Sequence, residues 1–187
     1  INYGGIQAIQ TLWAGPWMLN ITGYTPLQSA TGLFWINITM LISYFIWGYV
    51  LPKISEYGIS SIKIIKLGLP ISYFSLFLII YLGNNAGAFL FTLYIMTSIV
   101  ISLTQPAIAL NFSKNLAGKS LTSFNVFLFS GTFFIQWGIG LVIDICSNKG
   151  FDIVSSYRIS FSVFLILCVL SYIFFIYLNK KKYENKT

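Results

Sequence analysis

The sequence contains no histidine, and acidic residues and cysteines are scarce, with four of the former and two of the latter. Without histidine, imidazole metal ligands, Ser-His-Asp triads and histidine proton relays are excluded. Cys146 and Cys168 lack the spacing of a metal site or a redox pair and are interpreted as small apolar residues. The composition therefore favours neither an enzyme nor a protein with a metal or another cofactor.

Charge of either sign is rare, whereas apolar residues make up 57% of the 187 positions. Only 8% of the residues are charged, and the mean hydropathy is +0.80. A soluble domain has roughly a quarter of its residues charged, so we expect the lipid bilayer to be the solvent for most of this chain. The net charge of +7 does not predict nucleic-acid binding, because the basic residues lie between apolar runs instead of forming one face.

Six apolar runs are long enough to cross a bilayer as helices, which need about 20 residues for a hydrocarbon core of about 30 Å. Pro70 lies in the third run, which is the shortest. The sequence thus predicts a single-domain, all-α membrane protein, a bundle of six transmembrane helices. The predicted helices cover residues of about 4–22, 28–51, 67–83, 87–110, 121–145 and 159–178.

Basic residues predict the orientation of these helices, since Lys and Arg are retained in cytoplasmic loops. If the first helix runs outward, only Lys149 and Arg158 lie on the outer side. We therefore expect a cytoplasmic C-terminus and, because the chain begins at Ile1 with no signal-peptide pattern, a fragment of a longer protein. The basic residues on the cytoplasmic side would be Lys53, Lys63, Lys66, Lys114, Lys119, Lys180, Lys181, Lys182 and Lys186.

The first predicted helix carries an aromatic and amide stripe of Gln10, Trp13 and Trp17 at helical spacing. The adjacent Gly15-Pro16 pair can kink the helix, because proline removes a backbone hydrogen bond. Such a stripe beside a flexible point suits the lining of a substrate cavity. Helix packing with interfacial tryptophan anchoring is the alternative interpretation.

The fourth predicted helix has four polar groups on one face, which either hydrogen-bond a neighbouring helix or line a wet cavity. Amides on the second and fifth helices leave the same two alternatives open, whereas Gly131, Gly138 and Gly140 indicate close helix packing. Asp144 comes closest to an intramembrane acid but falls at a helix end. The further cavity candidates are Tyr94, Ser98, Ser102 and Gln105 on the fourth helix, Asn37 on the second, and Asn125 and Gln136 on the fifth.

Several short strings resemble the C-terminal half, helices seven to twelve, of a bacterial major facilitator superfamily transporter. They are residues 10–17 (QTLWAGPW), residues 116–119 (LAGK), Asn125 and residues 136–140 (QWGIG). The resemblance implies two inverted three-helix repeats. It also implies that the first and fourth helices line the central path, the second and fifth flank it, and the third and sixth face lipid.

The resemblance further implies a secondary transporter of the bacterial cytoplasmic (inner) membrane that moves a small solute by alternating access. Its partner would be a missing N-terminal half of six helices. Two alternatives remain open at this point: a self-contained six-helix channel or membrane scaffold, and an inactive truncated remnant. Neither the substrate nor the coupling ion can be read from the sequence.

Overall fold

The computed structural model of the protein describes the backbone of residues 1–184 and the side chains of residues 1–179. Within these residues the structure is helical and contains no strand. Six long helices follow one another with short connections. They are α1 (residues 2–20), α2 (Pro26–Glu56), α3 (Ser61–Leu82), α4 (Ala88–Asn111), α5 (Lys114–Asn148) and α6 (Ile153–Glu184).

Most helices extend beyond their apolar runs, because a helix needs no hydrocarbon around it to pair its own backbone groups. The start of α2 is set by Thr25, whose hydroxyl accepts from the Gln28 amide while the Gln28 side chain accepts from the Thr25 amide. The start of α3 is set by Ser60, whose hydroxyl accepts from the amide of Lys63. Helix α3 therefore begins before the apolar run that was predicted from about residue 67.

Pro70 lies inside α3 without ending it. Proline has no N–H, so the carbonyl of Lys66, one turn earlier, lacks its usual helical donor. The hydroxyl of Tyr172 on α6 donates to that carbonyl oxygen at 2.7 Å. A side chain from another helix thus satisfies the backbone group that proline leaves free.

The helices pack in a pattern centred on α1 and α4. Helix α1 packs on α5, and α4 packs on α2 and α3, while α6 packs on both α3 and α5. Gly4 permits the α1–α5 contact, because a Cβ at this position would lie 2.5 Å from the Thr132 amide nitrogen and 2.7 Å from the Gly131 carbonyl carbon. By contrast, a Cβ at Gly131 or Gly138 would meet nothing within 4 Å, so the close approach depends on the glycine of α1.

Large apolar side chains cover much of the outer surface. Phe127 on α5, Leu67 on α3 and Phe45 on α2 are each exposed by two thirds or more. Helices α2 to α6 are long and apolar enough to span a membrane, whereas α1 does not meet the same criteria. The all-helical fold is confirmed, and five candidate spans are compatible with an integral membrane protein.

One end of the bundle carries Lys53, Lys63, Lys66, Lys114 and Lys119, and we call it the lysine-bearing end. The opposite end holds two polar contacts. Asp152 precedes α6, and its carboxylate accepts from the Ser155 amide at 3.1 Å. A hydrogen bond from the Ser155 side chain and the bond from the Ser155 amide lower the pKa of this carboxyl group. The Arg158 guanidinium donates to the Tyr81 carbonyl oxygen in the last turn of α3 at 3.3 Å. A cation is favourable at a helix C-terminus, so the Arg158 contact stabilises the junction of α3 and α6. The Asp152 contact stabilises the first turn of α6.

Candidate functional site

Helix α1 is interrupted in its middle by a π-helical turn, Ile9–Trp13. The amide of Ala14 donates to the carbonyl of Ile9, five residues back, instead of four. The turn ends two residues before Gly15 and Pro16, where the sequence predicts a flexible point. Single π turns inside α-helices are frequent at functional sites, and this one contains two of the predicted cavity residues, Gln10 and Trp13.

The π turn holds a cluster of polar side chains from three helices, which we call the amide cluster: Gln10, Thr11 and Trp13 of α1, Asn37 of α2 and Gln136 of α5. The Gln10 amide Nε2 donates to Asn37 Oδ1 at 2.7 Å. Towards α5, the Gln136 side-chain Nε2 donates to the Thr11 hydroxyl at 3.0 Å. The Trp13 indole N–H donates to the backbone carbonyl oxygen of Gln136 at 3.1 Å. The π turn thus connects α2 and α5 through hydrogen bonds.

The amide cluster is reachable from outside the bundle. Gln10 is buried, but Asn37 and Thr11 are exposed, and Trp13 and Gln136 are half-buried. The Asn37 amide nitrogen donates to the Leu33 carbonyl at 2.7 Å, which fixes the direction of this side chain. The arrangement offers amide and hydroxyl groups beside an indole ring at an open face, and none of its members is charged.

Helix α4 has a second interruption, a 3₁₀ turn over Ile99–Leu103. Two predicted cavity residues flank or occupy it: Ser98, which is fully buried, and Ser102, which is 8% exposed. Tyr94, one turn earlier, is also buried. The structure therefore buries all three side chains inside the bundle, whereas Thr11 and Asn37 of the amide cluster are exposed.

Gln105 and Asn125 lie apart from both groups. Gln105 is half-buried, and its amide nitrogen makes a long contact of 3.4 Å with the Tyr3 hydroxyl of α1. This contact links α4 to α1 near the lysine-bearing end. Asn125 is exposed on α5 and lies three turns from Gln136 towards that same end.

Trp17 lies in the interior of the bundle, in an aromatic cluster with Phe91, Tyr157 and Phe161. Its ring is completely buried, with its centroid 4.8 Å from that of Phe161. The Trp17 indole N–H is buried and has no hydrogen-bond acceptor among the described residues. Trp13 borders this cluster through an edge contact with Tyr157, so the tryptophan nearer the π turn is the one that reaches the amide cluster.

Thr11 is a member of the site that the sequence analysis did not select. A threonine in an apolar helix usually bonds its own backbone, and the Thr11 hydroxyl does donate to the Gln7 carbonyl at 2.6 Å. The same oxygen also accepts from Gln136 on α5. Its position between Gln10 and Trp13 was the available sequence signal that Thr11 belongs to the site. The regular spacing of an α-helix could not predict the change of register in the π turn.

The site can hydrogen-bond a neutral polar group and stack against a ring, and the amide cluster contains no acid or base to transfer a proton. Within the described part of the chain, no three His, Cys, Asp or Glu side chains are grouped so that they could hold a metal ion. No protein-family model, curated protein or solved structure matches this chain.

Proposed function

We propose that this chain is one half of a secondary transporter, and that it moves a small solute across the membrane by alternating access. The observation that carries the proposal is the pair of interruptions in α1 and α4. In an inverted three-helix repeat, the first and fourth helices are equivalent. Broken helices near the middle of the membrane commonly form the substrate and ion sites of such carriers.

The packing of the helices supports the same proposal. An inverted repeat pairs α1 with α4, α2 with α5 and α3 with α6. Under this pairing, the α1–α5 contact corresponds to the α4–α2 contact. The α1–α2 contact corresponds in the same way to the α4–α5 contact. All four contacts occur in the structure. Helices α3 and α6, which pack on each other, correspond under the same operation. The counterpart of the α5–α6 contact, between α2 and α3, is weak. The four matching contacts support the proposal that this chain has the half-fold of the major facilitator superfamily.

In this proposal the amide cluster lines the substrate path, which runs along the open face between α1, α2 and α5. A second six-helix half closes this face, and the lysine-bearing end is cytoplasmic. The proposed membrane is the bacterial inner membrane. A lining of amides, a hydroxyl and an indole without charge suits a neutral polar solute that donates and accepts hydrogen bonds.

Thiol labelling in membrane vesicles tests this proposal without a known substrate. Thr11→Cys is placed in the amide cluster, and Phe74→Cys, on the exposed apolar face of α3, is its control. Maleimide reacts with a thiolate, which forms only where water reaches. The native Cys146 and Cys168 are buried and add little background.

We expect the cysteine at position 11 to react with a membrane-impermeant maleimide added from either side of the vesicle, because alternating access opens the site to each side in turn. The cysteine at position 74 should stay unlabelled. Equal lack of reaction at both positions contradicts a wet cavity. Steady ion conductance through the protein in a planar bilayer contradicts alternating access and favours a self-contained channel.

A further inference from the structure

Helices α2 and α3 both pack on α4 but make little contact with each other. The gap between them is a groove of about 460 Å³ whose floor is α4. This volume is within the range of about 300–1,000 Å³ that is typical of ligand pockets. The groove continues along α3 over Gly68, where a Cβ would lie 2.8 Å from a methyl carbon of Val100, so the absence of a side chain allows α3 to approach α4 here.

The groove is apolar and opens outward. Ile46 of α2 and Leu67 of α3 form its rim and are 51% and 67% exposed. The two hydroxyls in its wall are already bonded to backbone carbonyls, Ser43 to Thr39 at 2.8 Å and Thr97 to Leu93 at 2.9 Å. The walls therefore suit a hydrocarbon chain better than a polar solute.

Two lysines continue the walls of the groove towards its lysine-bearing end. Lys53 follows Ile46 by seven residues on α2, and Lys63 precedes Leu67 by four residues on α3, so each lies on the same helix face as the rim residue. Both lysines are exposed. Glu56 is the only acidic residue of this part of the chain, against Lys53, Lys63 and Lys66, so the mouth of the groove is positively charged.

We propose that this groove binds an anionic glycerophospholipid, with one acyl chain between α2 and α3 and the headgroup phosphate held by Lys53 and Lys63. Basic pockets between membrane helices bind anionic lipid headgroups, and each Lys near the surface contributes about a fivefold preference. A zwitterionic lipid has the same acyl chain but carries no net charge. The site is separate from the amide cluster and does not depend on the transport proposal.

Trp47 lines the groove and provides the signal for a test. The protein is reconstituted in phosphatidylcholine bilayers that contain a small fraction of phosphatidylglycerol brominated on its acyl chains, and bromine quenches nearby tryptophan. The difference between wild type and Trp47→Phe isolates the quenching of Trp47. Brominated phosphatidylcholine at the same mole fraction is the lipid control.

We expect brominated phosphatidylglycerol to quench Trp47 at a mole fraction roughly an order of magnitude lower than brominated phosphatidylcholine, because two lysines each contribute about fivefold. The double variant Lys53→Gln/Lys63→Gln should lose this preference by roughly an order of magnitude. Lys114→Gln, an exposed lysine at the start of α5, is the matched control and should retain it.

Equal quenching by the two brominated lipids in the wild type overturns the proposal, and this result does not require the double variant to fold. Absence of Trp47 quenching by either lipid shows that no acyl chain occupies the groove, which also overturns it. If the double variant keeps the preference for brominated phosphatidylglycerol, Lys53 and Lys63 do not bind the headgroup.

Discussion

The replacement Tyr172→Phe tests how the bundle accommodates a proline within α3. The Tyr172 hydroxyl donates to the Lys66 carbonyl oxygen at 2.7 Å, and this carbonyl lacks a helical donor because Pro70 has no N–H. Phenylalanine keeps the ring, which packs edge-on against Tyr73 with centroids 5.7 Å apart. The variant therefore removes one hydrogen bond and little packing.

The loss of unfolding free energy expected for Tyr172→Phe follows from two free-energy ranges. Hydrogen bonds between membrane helices contribute about 0.6 kcal/mol on average and at most about 1.7 kcal/mol. A buried carbonyl left without a donor costs about 1–3 kcal/mol. The Tyr172 bond is only partly buried, so water can replace part of the loss. We expect Tyr172→Phe to lower the free energy of unfolding by about 1 kcal/mol.

Pro70→Ala supplies the matched background, because alanine returns the N–H that bonds the Lys66 carbonyl within α3. In this background Tyr172→Phe should cost close to nothing, so the coupling between the two positions is about 1 kcal/mol. The measurement is unfolding by sodium dodecyl sulfate in mixed micelles, followed by far-ultraviolet circular dichroism, for all four proteins. An equal loss in both backgrounds would refute the reasoning.

Three further predictions use the same unfolding assay. Gly4→Ala should destabilise the bundle by about 1–3 kcal/mol, because the new methyl meets the α5 backbone at 2.5 Å. Gly118→Ala is the control and should not destabilise it, because a Cβ at that position meets nothing within 4 Å. Equal losses of stability in the two variants would contradict the packing argument. The pKa of Asp152 is lowered by hydrogen bonds from the Ser155 side chain and from the Ser155 amide, so its stabilisation is present at neutral pH and is lost as the pH falls through the folded-state pKa. Asp152→Asn should remove this pH dependence, and an unchanged acid profile would contradict it. Arg158→Leu should cost about 0.3–1 kcal/mol at low salt and less at high salt; a loss that does not depend on salt would argue against the helix-terminus interaction.

Much of the fold was predictable because the bilayer imposes a strong length requirement. The number, order and type of the helices follow from apolar runs of about 20 residues. Their ends were less predictable, since Thr25 and Ser60 start helices outside the apolar runs through their hydroxyl groups. Pro70 does not end α3, and a partner on α6 satisfies the carbonyl that this proline frees.

The sequence analysis selected Gln10, Trp13, Asn37 and Gln136 of the amide cluster as candidates, but it predicted neither their arrangement nor the part taken by Thr11. Helical spacing selected Gln10, Trp13 and Trp17 as one stripe, yet a π turn changes the register between them. Trp13 consequently reaches Gln136, whereas Trp17 packs among aromatic rings in the interior. Helical spacing on α4 likewise could not separate the buried serines from Gln105.

The sequence by itself determined that the chain is a bundle of apolar helices with most of its lysines at one end, because solvent preference and backbone pairing depend only on composition and run length. Tertiary structure decided which polar groups meet. A hydrogen bond such as that from Gln10 to Asn37, or from Tyr172 to Lys66, joins residues far apart in the chain. Such partners are selected by the packing angle and local register of the helices, and these properties belong to the whole bundle.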